Sequence, residues 1–258
     1  MPEGDTIAYA AGRMRPVLEG HVPDLVRTPH PRHAMDRWPQ RLAGRAVTEI
    51  RTHGKHLFIR FDGDLMIHSH LRMTGTWGVY PPGRRWGRSP RLAWLVLERG
   101  GVQVVQFNGP VLELMTESRS RFDQRLAGLG PDVLAAEFDA ARFLARLRAD
   151  DHTRGIGDAL LDQRNVAGIG NIWKAEGCWE AGIDPWRPVA EVTDAEALAI
   201  IDGLRPRMLE SARTGRMRDE ARVFRRNGRP CPRCGATIAA RGQGDDNRTT
   251  FWCPGCQR

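Results

Sequence analysis

Four cysteines fall within the last 28 residues as two pairs, Cys231-Pro-Arg-Cys234 and Cys253-Pro-Gly-Cys256, with eighteen residues between the pairs. Four thiolates at this spacing suit a closed tetrahedral site for one zinc ion, and the segment between them suits a hairpin around Gly242-Gln-Gly-Asp-Asp. A closed site keeps no position for water, so such a metal is structural rather than catalytic. Disulfides would call for an oxidising compartment. The chain shows no charged-then-apolar leader and no apolar run of membrane-spanning length, so the expected setting is the cytosol, away from membranes. The fifth cysteine, Cys178 beside Trp179, reads as a buried apolar residue in mid-helix.

At 258 residues the chain can bury a sizeable core, and two domains are expected rather than one. The net charge of +8 fits a polyanionic partner, most simply nucleic acid. Of the 39 basic residues only Lys55 and Lys174 are lysine. A lysine here therefore invites a reason, because its compact ammonium can give up a proton and a guanidinium in practice cannot.

The period of apolar residues changes along the chain. Ile7, Ala10, Ala11, Met14, Val17 and Leu18 predict a helix from Asp5 to Leu18, stopped at Gly20. Pro23 to Pro39 reads as loop or irregular strand. From Val47 the pattern alternates, with a turn at Asp62-Gly63-Asp64 and a strand expected from Leu65 to Met73. Pro81 to Pro90 reads as a loop, and Gly100-Gly101 as the turn of a hairpin. Residues from about 20 to 117 thus predict antiparallel strands in a sandwich or barrel. Beyond Leu-Gly-Pro-Asp (129–132) the period is helical: Asp139 caps a first helix, 158–163 and 172–180 give two more, and Asp194 caps a fourth.

Several residues are candidates for chemistry. If the initiator methionine is removed, Pro2 presents a free secondary amine, and an α-amino group titrates near neutrality. Such an amine can attack an aldehyde carbon, with Glu3 beside it as general acid or base. Proline and glutamate also simply start helices well. Gly168-Ile-Gly170-Asn171 precedes a helix, where backbone N–H groups converge on an anion; in this basic chain a phosphate is the favoured occupant. Arg248, inside the finger, is either a phosphate ligand or one more solvated arginine. Lys55, ahead of a strand, is read as functional rather than merely solvated. His68 and His70 share a strand face and read as structural or phosphate-contacting rather than as a second metal site. Leu71 and Met73 read as core, or as wedges into a base stack if exposed.

These pieces occur together, and in this order, in one family. The chain resembles the formamidopyrimidine-DNA glycosylase and endonuclease VIII family of base-excision repair enzymes. The resemblance rests on Pro-Glu-Gly (2–4), Gly-Lys-His-Leu (54–57), His-Leu-Arg-Met-Thr-Gly (70–75), Leu-Gly-Pro-Asp (129–132), Leu-Leu-Asp-Gln-x4-Gly-Ile-Gly-Asn (160–171) and the four-cysteine finger. It implies an α+β multidomain fold: an N-terminal antiparallel β-sandwich opened by a helix (1–117), a linker (118–131), a helix-two-turns-helix domain (132–219) and a β-hairpin zinc finger (220–258). DNA is expected in the cleft between the halves.

The resemblance also implies roles. Pro2 attacks C1′ of the damaged nucleotide and forms a Schiff base, and Glu3 donates protons during base release and ring opening. Lys55 binds phosphate and donates a proton in β-elimination. Arg248 grips phosphates and serves δ-elimination. His70, Gly170 and Asn171 contact the DNA backbone, and Met73 fills the space left by the flipped base. An enzyme acting on C1′ must extrude the nucleotide, which requires phosphate clamps and a plug.

Within the family the start Pro-Glu-Gly-Asp and the sequence Asn108-Gly-Pro lean toward the endonuclease VIII branch and oxidised pyrimidines. The 211–223 stretch also looks too short for a loop that covers oxidised guanine. The expectation is a bifunctional glycosylase and AP lyase acting as a monomer on damaged DNA, with structural zinc and no small-molecule cofactor. A non-catalytic zinc-finger DNA-binding protein, an RNA-binding zinc ribbon and an oxidised-purine glycosylase are the alternatives.

Overall fold

The computed structural model describes residues 2–216 and 221–258. The expected boundary at 219/220 and part of the 211–223 stretch lie outside the described residues. The chain divides into two compact units, Pro2 with residues 6–127, and residues 3–5 with 128–258.

The first unit takes in most of α1 (Gly4–Leu18), whose Ile7, Ala11, Met14 and Leu18 recur at helical spacing and are fully buried. Then follow β1 (Leu25–Arg27), α2 (Trp38–Leu42), β2 (Val47–His53), β3 (His56–Phe61), β4 (Leu65–His70), β5 (Thr76–Tyr80), β6 (Ala93–Arg99), β7 (Val102–Phe107) and β8 (Val111–Thr116). Two short helices, α3 (Glu117–Arg121) and α4 (Gln124–Ala127), close the unit. The strands form two antiparallel four-stranded sheets, ordered β2-β3-β4-β8 and β1-β6-β7-β5. Leu57, Ile59, Ile67 and Leu112 of one sheet and Leu95, Leu97 and Val104 of the other share a core with α1. Gly100 and Gly101, at φ 55° and 73°, make the two-residue turn between β6 and β7 that suits the strand twist.

Two expectations change in this unit. The strand expected to run to Met73 stops at His70, because Arg72 takes a left-handed backbone (φ 49°) and Gly75 N–H bonds back to Leu71 O. Leu71 folds into the core, while Met73 stays 66% exposed. The proline-rich stretch contains β1, a 3₁₀ turn and α2; Pro39 sits in the first turn of α2, where a missing N–H is harmless.

In the second unit come α5 (Ala140–Arg148), α6 (Ile156–Ala159), α7 (Asn171–Ala181), α8 (Asp194–Thr214) and the hairpin β9 (Ala239–Gln243) and β10 (Arg248–Trp252). Asp139 caps α5 as expected, its carboxylate accepting from Arg142 N–H. Helix α6 begins earlier and is shorter than expected. Asp162 ends it: its carboxylate accepts from Arg164 N–H and turns the chain, while Arg154 ties Asp150, Asp158 and Asp162 together. The cap of α8 is Thr193 rather than Asp194, because Thr193 and Glu196 exchange side chain-to-backbone bonds as a capping box. Phe143, Leu147, Ile156, Trp173, Ile200 and Leu204 form the core. Ala175 and Trp179 of α7 pack with Val223, Ile238, Cys231 and Cys253, seating the finger on the helix. Among the described residues no helix is long and apolar enough to cross a membrane.

Candidate active site

The N-terminus of α7 is an anion cradle, and its occupant is Glu3. One carboxylate oxygen accepts from Ile172 N–H (2.8 Å), the other from Gly170 N–H (3.0 Å) and Trp173 N–H (3.3 Å). These donors lie at the positive end of the helix and complement a negative charge there. Gly170 is required by close approach: a Cβ on it would lie 2.3 Å from the Glu3 carboxyl carbon. Where the sequence places a phosphate on these N–H groups, the structure places Glu3. The neighbouring residues are held as firmly. Gly4 N–H bonds to Gly168 O (2.9 Å), and Ser211 Oγ donates to Asp5 (2.6 Å). Pro2, covalently next to Glu3, is half-buried.

Asn171 reaches β10, its amide donating to Thr249 O (2.7 Å), while its buried Oδ1 has no partner among the described residues. Arg248 begins β10 at the surface and pairs with exposed Asp246 (2.8 Å). Exposed pairs of this kind are weak, so the guanidinium remains available to a stronger anion. At the other end of the finger the four cysteine sulfurs lie within 4.8 Å of one another, with Cys231–Cys256 at 3.8 Å and Cys234–Cys253 at 3.4 Å. Four thiolates about 2.3 Å from one tetrahedral metal would stand roughly 3.8 Å apart. The donor set therefore fits a bound metal ion.

In the first unit Lys55 sits with Gly54 in the tight turn between β2 and β3. His70, at the end of β4, pairs across the sheet with His56. Its Nδ1 accepts from Arg72 N–H (3.1 Å), so the proton of the neutral ring is on Nε2, a donor. Burial, then the charges of Arg72 and Lys55, push its pKa down to about 4. His68 shares its face as expected and is buried. Its Nε2 meets His56 Nδ1 at 2.8 Å, and Glu113 lies 3.5 Å from its other nitrogen. Burial, reinforced by His70 and His68, pushes His56 down to about 2. No metal cluster forms there among the described residues.

The sequence analysis assigned no role to three polar residues, half-buried His56 and buried Glu176 and Lys174. His56 had no strand partner to pair with until the register was known. Glu176 is fully buried and accepts from the N–H groups of Arg222, Val223 and Phe224, tying the approach to the finger onto α7. Lys174 is buried beneath the finger hairpin; its rarity was a usable signal.

The structure is similar to that of the formamidopyrimidine-DNA glycosylase of Lactococcus lactis solved in complex with DNA containing N7-benzyl-Fapy-dG. The TM-score is 0.84 at 24% identity, over the whole of both chains. Residues 1–110 match the formamidopyrimidine-DNA glycosylase N-terminal domain, and residues 129–220 the H2TH domain of the same enzymes. The chain is 42% identical to the probable endonuclease 8 2 of Streptomyces coelicolor, over all of this chain and 94% of that protein. It is 35% identical to the DNA-(apurinic or apyrimidinic site) lyase Nei2 of Mycolicibacterium smegmatis, over 100% and 99%. The chain belongs to the formamidopyrimidine-DNA glycosylase and endonuclease VIII family, on its endonuclease VIII side.

Proposed function

We propose that the protein is a bifunctional DNA glycosylase and AP lyase of base-excision repair that favours oxidised pyrimidines and works through an iminium at Pro2. The observation that carries this reading is the seat of Glu3: three backbone N–H groups fix the carboxyl group that adjoins the Pro2 amine.

The chemistry balances without a redox cofactor. The Pro2 nitrogen bonds to C1′; the glycosidic bond breaks, and the base leaves with that electron pair and a proton. The Glu3 carboxylate takes the proton that the Pro2 nitrogen loses on attack and passes it to O4′ as the sugar ring opens. The resulting iminium is cationic, because proline is a secondary amine, and it acidifies C2′–H. Loss of that proton expels the 3′ phosphate, with Lys55 assisting by proton transfer (β-elimination). The conjugated iminium that remains acidifies C4′–H, and loss of that proton expels the 5′ phosphate (δ-elimination), for which we assign Arg248. Water then releases Pro2 as the free amine. His70 and Asn171 are assigned to the DNA backbone as neutral donors, with Gly170 acting through Glu3. Met73, exposed on its turn, is assigned to the space left by the flipped nucleotide.

The branch assignment draws on the link between β7 and β8, which is only Asn108-Gly109-Pro110. Three residues leave little room to project a pair of probing side chains. We assign residues 1–117 to the catalytic domain, 118–131 to the linker, 132–219 to the helix-two-turns-helix domain and 220–258 to the finger. The finger metal is zinc, one structural ion, and the protein acts as a monomer on the cytosolic nucleoid. Metal analysis should return one zinc per chain.

The decisive test is borohydride trapping on duplex DNA carrying one abasic site. Wild type should give a covalent band. Pro2→Gly should weaken it, and an uncleaved N-terminal tag should abolish it. No band from processed, zinc-loaded protein would replace the lyase with a DNA-binding module.

A further inference from the structure

Lys174 is 0% exposed on α7. Its Nζ donates to Gln243 Oε1 (3.2 Å) on β9 and to the Thr250 hydroxyl on β10. Those acceptors do not need it. Thr250 Oγ1 also donates to Gln243 Oε1 (3.0 Å), and Gln243 Nε2 donates to Pro185 O (2.6 Å). Methionine at 174 would therefore leave no polar atom of this group orphaned. A buried charge that nothing requires for satisfaction lowers stability and calls for another reason. Arginine would be worse, because its five donors would face a pocket offering two acceptors. This accounts for a lysine in so arginine-rich a chain.

Burial pushes the Lys174 pKa down to about 8; Asp158 and Glu3 favour its charged form, and Arg248 opposes it. The group thus lies in the shared field of Glu3 and Arg248. One turn earlier on α7, Asn171 holds the carbonyl of Thr249, the residue before Thr250.

We propose that Lys174 is a positioning residue: with Asn171 it clamps β10 onto the helix that seats Glu3, and so places Arg248 for the second elimination. The proposal rests on the assignment of Arg248 to that step. Lys174 touches no substrate and acts only through the strand.

The test is the ratio of δ- to β-elimination products on duplex DNA with one abasic site, measured from pH 6 to 9.5. The proteins are zinc-loaded wild type, K174M, T250V, the double variant and R248A. K174M should trap to borohydride and complete β-elimination within about twofold of wild type, while its δ-to-β ratio falls about tenfold, the scale of a slightly misplaced group. Its melting temperature at pH 7 should be no lower than wild type. The wild-type ratio should fall as pH rises through 8, where the ammonium is lost, and the K174M ratio should not follow it. T250V should share the loss, and the double variant should be no worse than the worse single one.

A wild-type ratio in K174M, with R248A impaired, overturns the clamp. A loss in K174M that T250V does not share marks a packing role and overturns it too. An unchanged ratio in R248A is a different failure, that of the Arg248 assignment itself.

Discussion

A methyl group at residue 170 would occupy the space of the Glu3 carboxylate, at 2.3 Å from its carbon and 2.6 Å from one oxygen. The Gly170→Ala backbone is otherwise unstrained, so Glu3 must leave its cradle. Gly170 and Trp173 are buried, so N–H groups lose their acceptor away from water, and the loss of stability should be about 1–3 kcal/mol. Activity should fall about a hundredfold, the scale expected when a reacting group is displaced by an ångström. Single-turnover cleavage of lesion-bearing duplex beside a thermal melt checks both. A G170A protein as active as wild type would mean that the seat of Glu3 does not matter. The glycine spacing and the helix behind it make an anion cradle legible in the sequence. Its occupant is not legible, because Glu3 stands 167 residues from Gly170 and no local period links them.

The outer face of β3 and β4 makes its prediction at the scale of the element. His56 pairs with His70 in register, His68 lies against His56, and neutral rings fill that face. With His70 held at about 4 and His56 at about 2, both lie below the ordinary value of about 6.5 that they regain on unfolding. Below pH 6.5 the unfolded chain takes up protons that the native sheet refuses. The stability these rings allow is therefore full above pH 6.5 and is lost as pH falls through 4. Thermal melts between pH 7 and 4.5, a window above most carboxylate titration, should show this decline, and H56L/H68L should decline less steeply. Parallel curves would locate the proton uptake elsewhere. Elements were legible where one periodicity ran unbroken, as in α1 and in the hairpin closed by Gly100-Gly101. They were less so where local hydrogen bonds competed. Arg72 and Gly75 ended β4 early, Asp162 cut α6 short, and the Thr193–Glu196 box moved a cap by one residue. A single chain order gives no register, so His56 could not be joined to His68 and His70 in advance.

The +8 charge of the whole molecule was legible from composition, but composition cannot say which charges meet DNA. Salt dependence can, because only a cation that neutralises a phosphate releases a counterion; each such contact contributes about 0.9 to the slope of log K against log salt. The four backbone contacts assigned here divide into two kinds. Lys55 and Arg248 are charged. Asn171 is never charged, and His70, held down at about 4, is a neutral donor at physiological pH. Binding of a duplex carrying a stable abasic analogue, titrated at pH 7.5 over a range of salt, should separate them. Lys55→Ala and Arg248→Ala should each flatten the slope by about one. His70→Ala should weaken binding at every salt concentration and leave the slope where it was. A flatter slope in His70→Ala would mean that DNA binding itself protonates the ring. Phosphate would then have to outweigh the burial that keeps it neutral, and affinity would rise as pH falls toward 6 in wild type but not in the variant. An unchanged slope, with affinity lost, assigns His70 to hydrogen bonding alone and leaves the long-range attraction to the lysine and the arginines.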